Sequence, residues 1–320
     1  MYLDSLICSR LDRQGLQDLV DGGVRAATVT CGFWEDATES MDSLVRWQRL
    51  ITENSDLAGI GTSAGEIDRI SAEGRVAIVL GFQNSAFLQG RLGYVDLFHQ
   101  MGVRVAQLTY NIQNDVGGSC YDPKDSGLTR FGEEVVAEMN RVGMVIDLSH
   151  VGNRTSLEAV RLSEKPVAVT HANCSDLVDH PRNKPAALLK EVAERRGMVG
   201  LTVYHNITRG YNASPDHWAG MVAKTAELIG TEHIGIGTDD NQGGDAGYLA
   251  WMRNGRWSHR EQRGASIAAG SEPVQKTNWY RRPADFEVFG PALRRAGFSE
   301  EETSGILWDN WMRFYKEVLV

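Results

Sequence analysis

Eight short apolar segments recur along the chain, and this repeat is the feature that most restricts the fold. The predicted strands cover residues 3–8, 25–31, 76–82, 104–110, 144–149, 166–170, 198–204 and 233–238. The spacing of apolar residues between them predicts helices over 39–54, 94–101, 130–142, 153–163, 186–196 and 214–229. Continuous apolar strands that alternate with helices indicate parallel strands covered by helices on both faces.

Eight such units favour a closed (β/α)8 TIM barrel over an open doubly wound sheet. No GxGxxG or GxxxxGK[ST] motif follows the first strand, so a nucleotide-binding fold is not supported. With 320 residues and 42% apolar content, the chain can bury one large core, and residues 1–320 are predicted to form a single domain. Residues 283–319 are predicted to form one or two terminal helices that pack against the barrel wall.

A long segment, residues 240–281, follows the eighth predicted strand. It is rich in glycine and contains Trp251, Trp257 and Trp279. Because barrel active sites lie at the carboxyl ends of the strands, this segment is predicted to be a lid or insertion loop over the site. The alternative is a disordered surface insertion, which the interleaved aromatic residues disfavour.

Composition and charge restrict the location and the partners. A formal net charge of −9 without a run of Lys or Arg disfavours nucleic acid and anionic membranes as partners. The chain has no apolar run of 18 residues, the segment MYLDSLIC enters an apolar strand without a charged region followed by a long apolar one, and the four cysteines are widely spaced. We therefore expect a cytoplasmic protein with reduced thiols that binds a small molecule.

Two histidines and one aspartate lie at the ends of predicted strands. His150 ends MVIDLSH, His171 ends PVAVTH, and Asp239 ends HIGIGTD. The carboxyl ends of barrel strands converge on one mouth, so these side chains are expected to meet there. A single histidine after a strand is usually structural, but two on adjacent strands indicate a functional site.

Several longer motifs carry a family resemblance. The run GLTRFGEEVVAEMNRVGMVIDLSHVGNRTSLEAV, followed by KPVAVTHANCSDLVDHPRNKPAALLKEVAERRGMVGL and HIGIGTD, resembles the membrane dipeptidase family, a branch of the amidohydrolase-type barrels. LDSLIC, GFQN and MGVRVAQLTYNIQND align with earlier motifs of that family, so the resemblance covers nearly the whole chain.

The resemblance implies roles for four residues in a site that holds two zinc ions in the family. His150 and His171 match two ligands of one zinc ion. Arg182 in HPRN matches the arginine that binds the substrate carboxylate, a task suited to a forked guanidinium. Asp239 matches the acid and base that moves protons between the water and the leaving amine.

The other half of the site departs from the family pattern. The first-strand His-x-Asp falls on Leu6 and Cys8, and the bridging glutamate falls on Gln83. The histidine that holds the tetrahedral intermediate falls on Tyr110. A neutral amide cannot offset the repulsion between two dications, so the sequence predicts one divalent metal at most, Zn²⁺ in the first instance, or none.

Some roles stay open at this stage. Asp239, Gln83 and Cys8 are candidates for additional metal ligands beside the histidines, although a buried cysteine on a strand is more often a packing residue. Tyr110 is a candidate catalytic and substrate-binding residue, because a phenol can donate to a developing oxyanion; it could equally be a packing residue.

The predicted function is metal-dependent hydrolysis of an amide or related C–N bond in a small compound that carries a carboxylate. The chain is also similar to a divergent branch of the family linked with betaine-like compounds, and the 240–281 loop could hold a quaternary ammonium by cation–π contact. The resemblance also implies a homodimer. Two alternatives are a catalytically inactive binding or regulatory protein, and a lyase that uses Tyr110 and Asp239.

Overall fold

The structure, a computed structural model, describes residues 1–256 and 276–319. Its strands are β1 (Tyr2–Ile7), β2 (Val24–Thr30), β3 (Ala58–Ile60), β4 (Val76–Phe82), β5 (Val103–Gln107), β6 (Val145–Asp147), β7 (Ala168–Val169), β8 (Met198–Leu201) and β9 (Ile234–Ile236). All pair in parallel in one sheet, which closes because β4 pairs with β2 and β1 pairs with β9. The predicted (β/α)8 barrel is confirmed.

Strand β3 was not predicted, and it lies outside the ring of eight. It pairs with β4 at residues 76–78, whereas β5 pairs with β4 at residues 80–82. At three residues it is too short to give an apolar run, and Gly59 and Ile60 are only half-buried. The eight predicted strands are those of the closed ring, although all of them except β4 end one to three residues earlier than predicted.

The helices are α1 (Arg13–Asp21), α2 (Ala37–Glu53), α3 (Ala64–Ala72), α4 (Gly93–Gln100), α5 (Arg130–Val142), α6 (Asn153–Leu162), α7 (Ala186–Glu194), α8 (Pro215–Ile229), α9 (Ala246–Asn254), α10 (Phe289–Arg295), α11 (Glu300–Ser304) and α12 (Asn310–Val318). The six predicted helices correspond to α2 and α4 to α8. Helices α1, α3 and α9, each of nine residues, were not predicted, although α4 and α7, of eight and nine residues, were. An N-cap side chain marks each start, namely Asp12, Ser63 and Asp245.

The C-terminal segment closes the amino end of the barrel. It contains α10, α11, a π-helical turn over Gly305–Asp309 and α12, which is more than the one or two helices expected. Its residues Trp311, Phe314 and Tyr315 pack with the first inward-facing residues of the strands. A Cβ on Gly235 would collide with the Trp311 ring, so only glycine fits there. Within the described residues, these side chains fill the amino end of the barrel, opposite the carboxyl ends of the strands.

None of the helices within the described residues is long and apolar enough to span a lipid bilayer.

Candidate active site

The two strand-end histidines meet at the carboxyl end of the barrel. Strand β6 ends at Asp147 and β7 at Val169, so His150 and His171 follow their strands by two or three residues. Both side chains are buried, and their Nε2 atoms lie 3.2 Å apart. The convergence expected from adjacent strand ends is therefore present in the structure.

Both imidazole rings are held by hydrogen bonds at Nδ1. His150 Nδ1 lies 2.7 Å from Asn111 Oδ1, which can only accept, so the Nδ1 of His150 carries the proton. His171 Nδ1 lies 2.7 Å from Thr170 Oγ1, whose hydroxyl donates to Asp147 Oδ2 at 2.8 Å. His150 therefore turns an unprotonated Nε2 towards His171, and when Thr170 donates to Asp147 the Nε2 of His171 is unprotonated as well.

Both rings are neutral. Burial, followed by the nearby Arg182 guanidinium, holds the pKa of His150 and of His171 well below the usual histidine range. Two neutral rings whose Nε2 lone pairs face each other at 3.2 Å repel unless a cation or a proton lies between them.

The two Nε2 atoms have the spacing of two ligands of one metal ion. Two nitrogens bound at about 2.0–2.1 Å to one tetrahedral zinc lie roughly 3.3 Å apart, close to the separation of the two Nε2 atoms. Within residues 1–256 and 276–319, however, no group of three or more His, Cys, Asp or Glu side chains could hold a metal. Neither Asp239 nor Cys8 therefore completes a three-ligand site with the histidines in this arrangement.

A buried carboxylate that sequence reasoning missed orients His171. Asp147 accepts hydrogen bonds from the backbone and hydroxyl of Ser149 and from the backbone and hydroxyl of Thr170. Thr170 in turn is the partner of His171 Nδ1. Asp147 thus orients the His171 ring through the Thr170 hydroxyl. Metal-binding histidines commonly have this kind of support. The signal in the sequence was the aspartate three residues before His150 in IDLSH.

The same arrangement recurs at β1 and β9. Asp4 accepts from the backbone of Thr238 at 2.9 Å, from its hydroxyl at 2.5 Å and from the backbone of Leu6 at 3.3 Å. Thr238 directly precedes Asp239, as Thr170 directly precedes His171. Two buried aspartates therefore fix the two strand ends that carry the predicted ligand and the predicted proton carrier.

Asp239 has an unusual backbone and an unusual acidity. Its φ of +57° lies in the left-handed region, which Asp and Asn tolerate better than most residues. Its amide donates to Leu6 O at 3.0 Å. Burial raises the pKa of the Asp239 carboxyl to about 7, although the Arg182 guanidinium acts to lower it. Such a group can exchange a proton near neutral pH.

Arg182 is buried beneath the histidines. Its Nη1 donates to Ser149 O, and its Nη2 donates to His171 O at 2.8 Å. Part of the guanidinium thus supports the protein backbone in addition to the carboxylate role predicted for it. Lys184, to which sequence reasoning gave no role, is also fully buried and donates to Val151 O. Burial lowers the pKa of the Lys184 ammonium to about 7.

The sequence of this chain matches those of known proteins. Residues 12–249 match the membrane dipeptidase family, Peptidase family M19. The chain belongs to the membrane dipeptidase family. It is 29% identical to a dipeptidase of Clonostachys rogersoniana over 208 residues, which are 64% of this chain and 54% of that protein. A dipeptidase of Aspergillus oryzae is 33% identical over 171 residues, 52% of this chain and 40% of that protein. The matches thus span about half the length of these curated relatives.

Solved structures share the whole architecture. An amidohydrolase from Pseudomonas aeruginosa superposes with a TM-score of 0.93 at 33% identity, covering 100% of this chain and 96% of that one. A metallo peptidase from Rhodobacter sphaeroides, liganded with a phosphinate mimic of L-Ala-D-Ala, gives a TM-score of 0.80 at 16% identity and covers 99% of each chain. The second likeness shows the fold alone.

An aromatic cluster lies where the membrane dipeptidase resemblance implies the first metal position. Cys8, Phe33, Trp34 and Tyr110 form a buried group that α9 covers. Burial raises the pKa of the Cys8 thiol well above its usual value, and its Sγ lies 3.8 Å from the main-chain oxygen of Asp239. Gln83 donates from Nε2 to Thr30 Oγ1 at 2.8 Å, which is a structural contact.

Tyr110 belongs both to this cluster and to the edge of the histidine site. Its ring centroid lies 4.3 Å from that of His150, 4.9 Å from Phe33 and 5.3 Å from Trp34. Burial raises the pKa of the Tyr110 hydroxyl well above its usual value, so the phenol keeps its proton and can donate a hydrogen bond.

The described part of the 240–281 segment contains helix α9, which the sequence did not predict. Tyr248 on this helix donates to Cys8 O at 2.9 Å, and Trp251 Nε1 donates to Glu35 Oε1 at 2.9 Å. Trp279 lies elsewhere: its Nε1 donates to Asn212 O at 3.0 Å. Trp257 falls outside the described residues. Helix α9 therefore covers one side of the barrel mouth, and the lid role stays a prediction.

Proposed function

We propose that this protein is a metal-dependent hydrolase of an amide or related C–N bond in a small carboxylate-bearing compound. One divalent metal, Zn²⁺ in the first instance, would be held by His150 and His171. The observation that carries the proposal is the facing pair of neutral imidazoles, whose Nε2 atoms lie 3.2 Å apart. Membership of the membrane dipeptidase family supports the hydrolase class. A bound divalent cation would supply the Lewis-acid chemistry that amide hydrolysis needs near neutral pH.

Side chains of this chain would handle the protons and the developing charge. Asp239, with a pKa of about 7, would take a proton from the attacking water and deliver it to the leaving nitrogen. Tyr110 would donate its phenolic hydrogen to the developing oxyanion, a role that its raised pKa and its position against His150 support. Arg182 would bind the substrate carboxylate with the N–H groups not used for Ser149 O and His171 O.

The substrate is proposed to be dipeptide-like or betaine-like. The Tyr110 ring lies beside His150, and the rings of Phe33 and Trp34 pack against Tyr110; this group would accept an ammonium by cation–π contact. Trp279 packs against Phe289, with ring centroids 5.9 Å apart, so it does not support the quaternary-ammonium role suggested for the loop tryptophans.

A second candidate function is ligand binding without hydrolysis. The observation that favours it is that the described residues contain no group of three His, Cys, Asp or Glu side chains able to hold a metal. Two neutral histidines alone bind zinc weakly, and catalytic zinc sites usually have three protein ligands.

The test is metal content combined with turnover. Protein purified without chelators would be analysed for metal, then assayed on a panel of dipeptides, N-acyl amino acids and betaine amides before and after chelation. One metal per chain, with hydrolysis that chelation removes and zinc restores, supports the hydrolase. Ligand binding by metal-free protein, with no turnover after zinc addition, supports the binding protein and contradicts the hydrolase.

A further inference from the structure

A cavity with a volume of about 530 Å³ opens at the carboxyl end of the barrel, apart from the histidine site. It lies beside the ends of β1 and β2, between one face of α2 and the residue Tyr248 of α9. Its volume is in the range of small-molecule sites, roughly 300–1,000 Å³. None of the residues that line it is His150, His171, Arg182 or Asp239.

Most polar side chains in this cavity already have protein partners. Glu35 accepts from the backbone amides of Phe33 and Trp34 and from Trp251 Nε1. Tyr248 donates its hydroxyl to Cys8 O at 2.9 Å. The lining hydroxyls also donate to main-chain oxygens: Ser9 to Asp240, Thr30 to Ile7 and Ser43 to Cys31. These groups therefore have little hydrogen-bonding capacity left for a ligand.

Two arginines are the exception. Arg10 and Arg46 line the cavity, and neither guanidinium makes a hydrogen bond or an ion pair with any residue of 1–256 or 276–319. The Arg10 guanidinium lies over the ring of Tyr248, 4.4 Å from its centroid, which limits its freedom before any ligand arrives. The open donors of the cavity are therefore cationic.

The remaining wall is apolar. Leu11, Phe33, Trp47 and Leu50 provide it, and Trp47 and Leu50 lie on the same face of α2 as Arg46. With two guanidinium groups and the carboxylate of Glu35, the lining side chains carry a net charge of +1. A charge of +1 beside an apolar wall suits a singly charged anion with an apolar body.

We propose that this cavity binds a small monocarboxylate with an aromatic or aliphatic body. The carboxylate lies between the Arg10 and Arg46 guanidiniums, whose forked donors match its two oxygens. The apolar body contacts Trp47 and Leu50. None of the lining residues is a proposed metal ligand, so this site does not need the metal. It shares Phe33 with the ammonium site proposed above, where the Phe33 ring packs 4.9 Å from that of Tyr110.

The test uses two bromine-labelled probes, 4-bromobenzoate and 6-bromohexanoate, with uncharged 4-bromobenzamide as a control ligand. Calorimetry would measure the affinity of each for the wild-type chain, for Arg10→Gln and Arg46→Gln, and for Arg49→Gln. Arg49 is an exposed arginine of α2 that does not line the cavity, so Arg49→Gln is the matched control. Crystals soaked with each probe would be measured at the bromine absorption edge.

The proposal expects at least one carboxylate to bind, with the anomalous peak between α2 and Tyr248. Arg46→Gln and Arg10→Gln should each weaken it about tenfold or more, because a charge-assisted hydrogen bond is lost, while Arg49→Gln should not. The proposal is overturned if neither carboxylate binds at up to about 10 mM. It is also overturned if the benzamide binds equally well, if both cavity variants bind like wild type, or if the bromine lies only at the histidine site.

Discussion

Arg182 Nη2 donates to the main-chain oxygen of His171 at 2.8 Å, so the arginine predicted to bind substrate also fixes the strand end of a predicted metal ligand. Its Nη1 does the same for Ser149, the residue before His150. One guanidinium thus connects the two segments whose histidines face each other, and its loss should affect stability and binding together.

The first prediction concerns this arginine. Arg182→Lys should weaken binding of a confirmed carboxylate ligand nearly as much as Arg182→Ala, because an ammonium cannot reproduce the fork. Both variants should also lose about 1–3 kcal/mol of stability, because buried carbonyl oxygens lose their donors. Titration and urea unfolding measure the two effects, with the exposed Arg154→Lys as control. Wild-type affinity in Arg182→Lys would remove the carboxylate role.

The second prediction is that each chain holds one metal ion at most. Elemental analysis of chelator-free protein should give no more than one equivalent, and His171→Ala should abolish it, since His150 and His171 are the facing pair. His217, exposed at the start of α8, provides the control variant His217→Ala. Two tightly held ions per chain would contradict the prediction.

The third prediction is that ordinary dipeptides are poor substrates. The resemblance places Gln83 at the bridging glutamate and Tyr110 at the histidine that holds the intermediate, and both replacements weaken the site that the family uses for dipeptides. A panel of dipeptides assayed with zinc should therefore give turnover well below a typical enzyme's value, about 10 per second. Turnover at or above that rate would show that the altered positions do not matter.

The fourth prediction separates proton transfer from metal binding at Asp239. Asparagine tolerates the left-handed backbone there, φ +57°, so Asp239→Asn should fold while losing its proton acceptor. Turnover should fall by roughly 10²- to 10⁴-fold, with ligand affinity and metal content little changed. In the wild type, the rate should rise as pH increases through about 7, where the Asp239 carboxyl loses its proton, and the variant should lack this rise. Loss of metal in Asp239→Asn would make Asp239 a ligand instead.

The fifth prediction is a pH dependence of stability that depends on Lys184. Burial lowers the pKa of its ammonium from 10.5 to about 7, so between these values the unfolded chain binds the extra proton. The contribution of Lys184 to stability is therefore fully present above about 10.5 and is lost as pH falls to about 7. Urea unfolding at several pH values should show that the free energy of unfolding of the wild type increases relative to that of Lys184→Met as pH rises. An unchanged difference would mean that Lys184 stays charged in the folded state.

The order of strands and helices could be predicted from the sequence because both have periodic signals. Val, Ile and Leu runs identified the eight strands of the closed ring, and helical spacing identified six helices. Strand β3 was not recognised because three residues carry too little pattern. Helices α1, α3 and α9 were not recognised either, although α4 and α7 are no longer than they are. Helix α9 matters most of these, since it covers the aromatic cluster around Cys8 and Tyr110.

The sequence by itself determined the barrel, the family and the meeting of His150 with His171, because consecutive parallel strands bring their carboxyl ends to one mouth. Only the tertiary structure decided how the two imidazole rings face each other and which arginines have no hydrogen-bond partner among the described residues. Those features depend on contacts such as Asp4 with Thr238, which are 234 residues apart. Periodicity reveals which side of an element is buried, but a buried polar group takes its pKa and its partner from whichever distant segment packs against it.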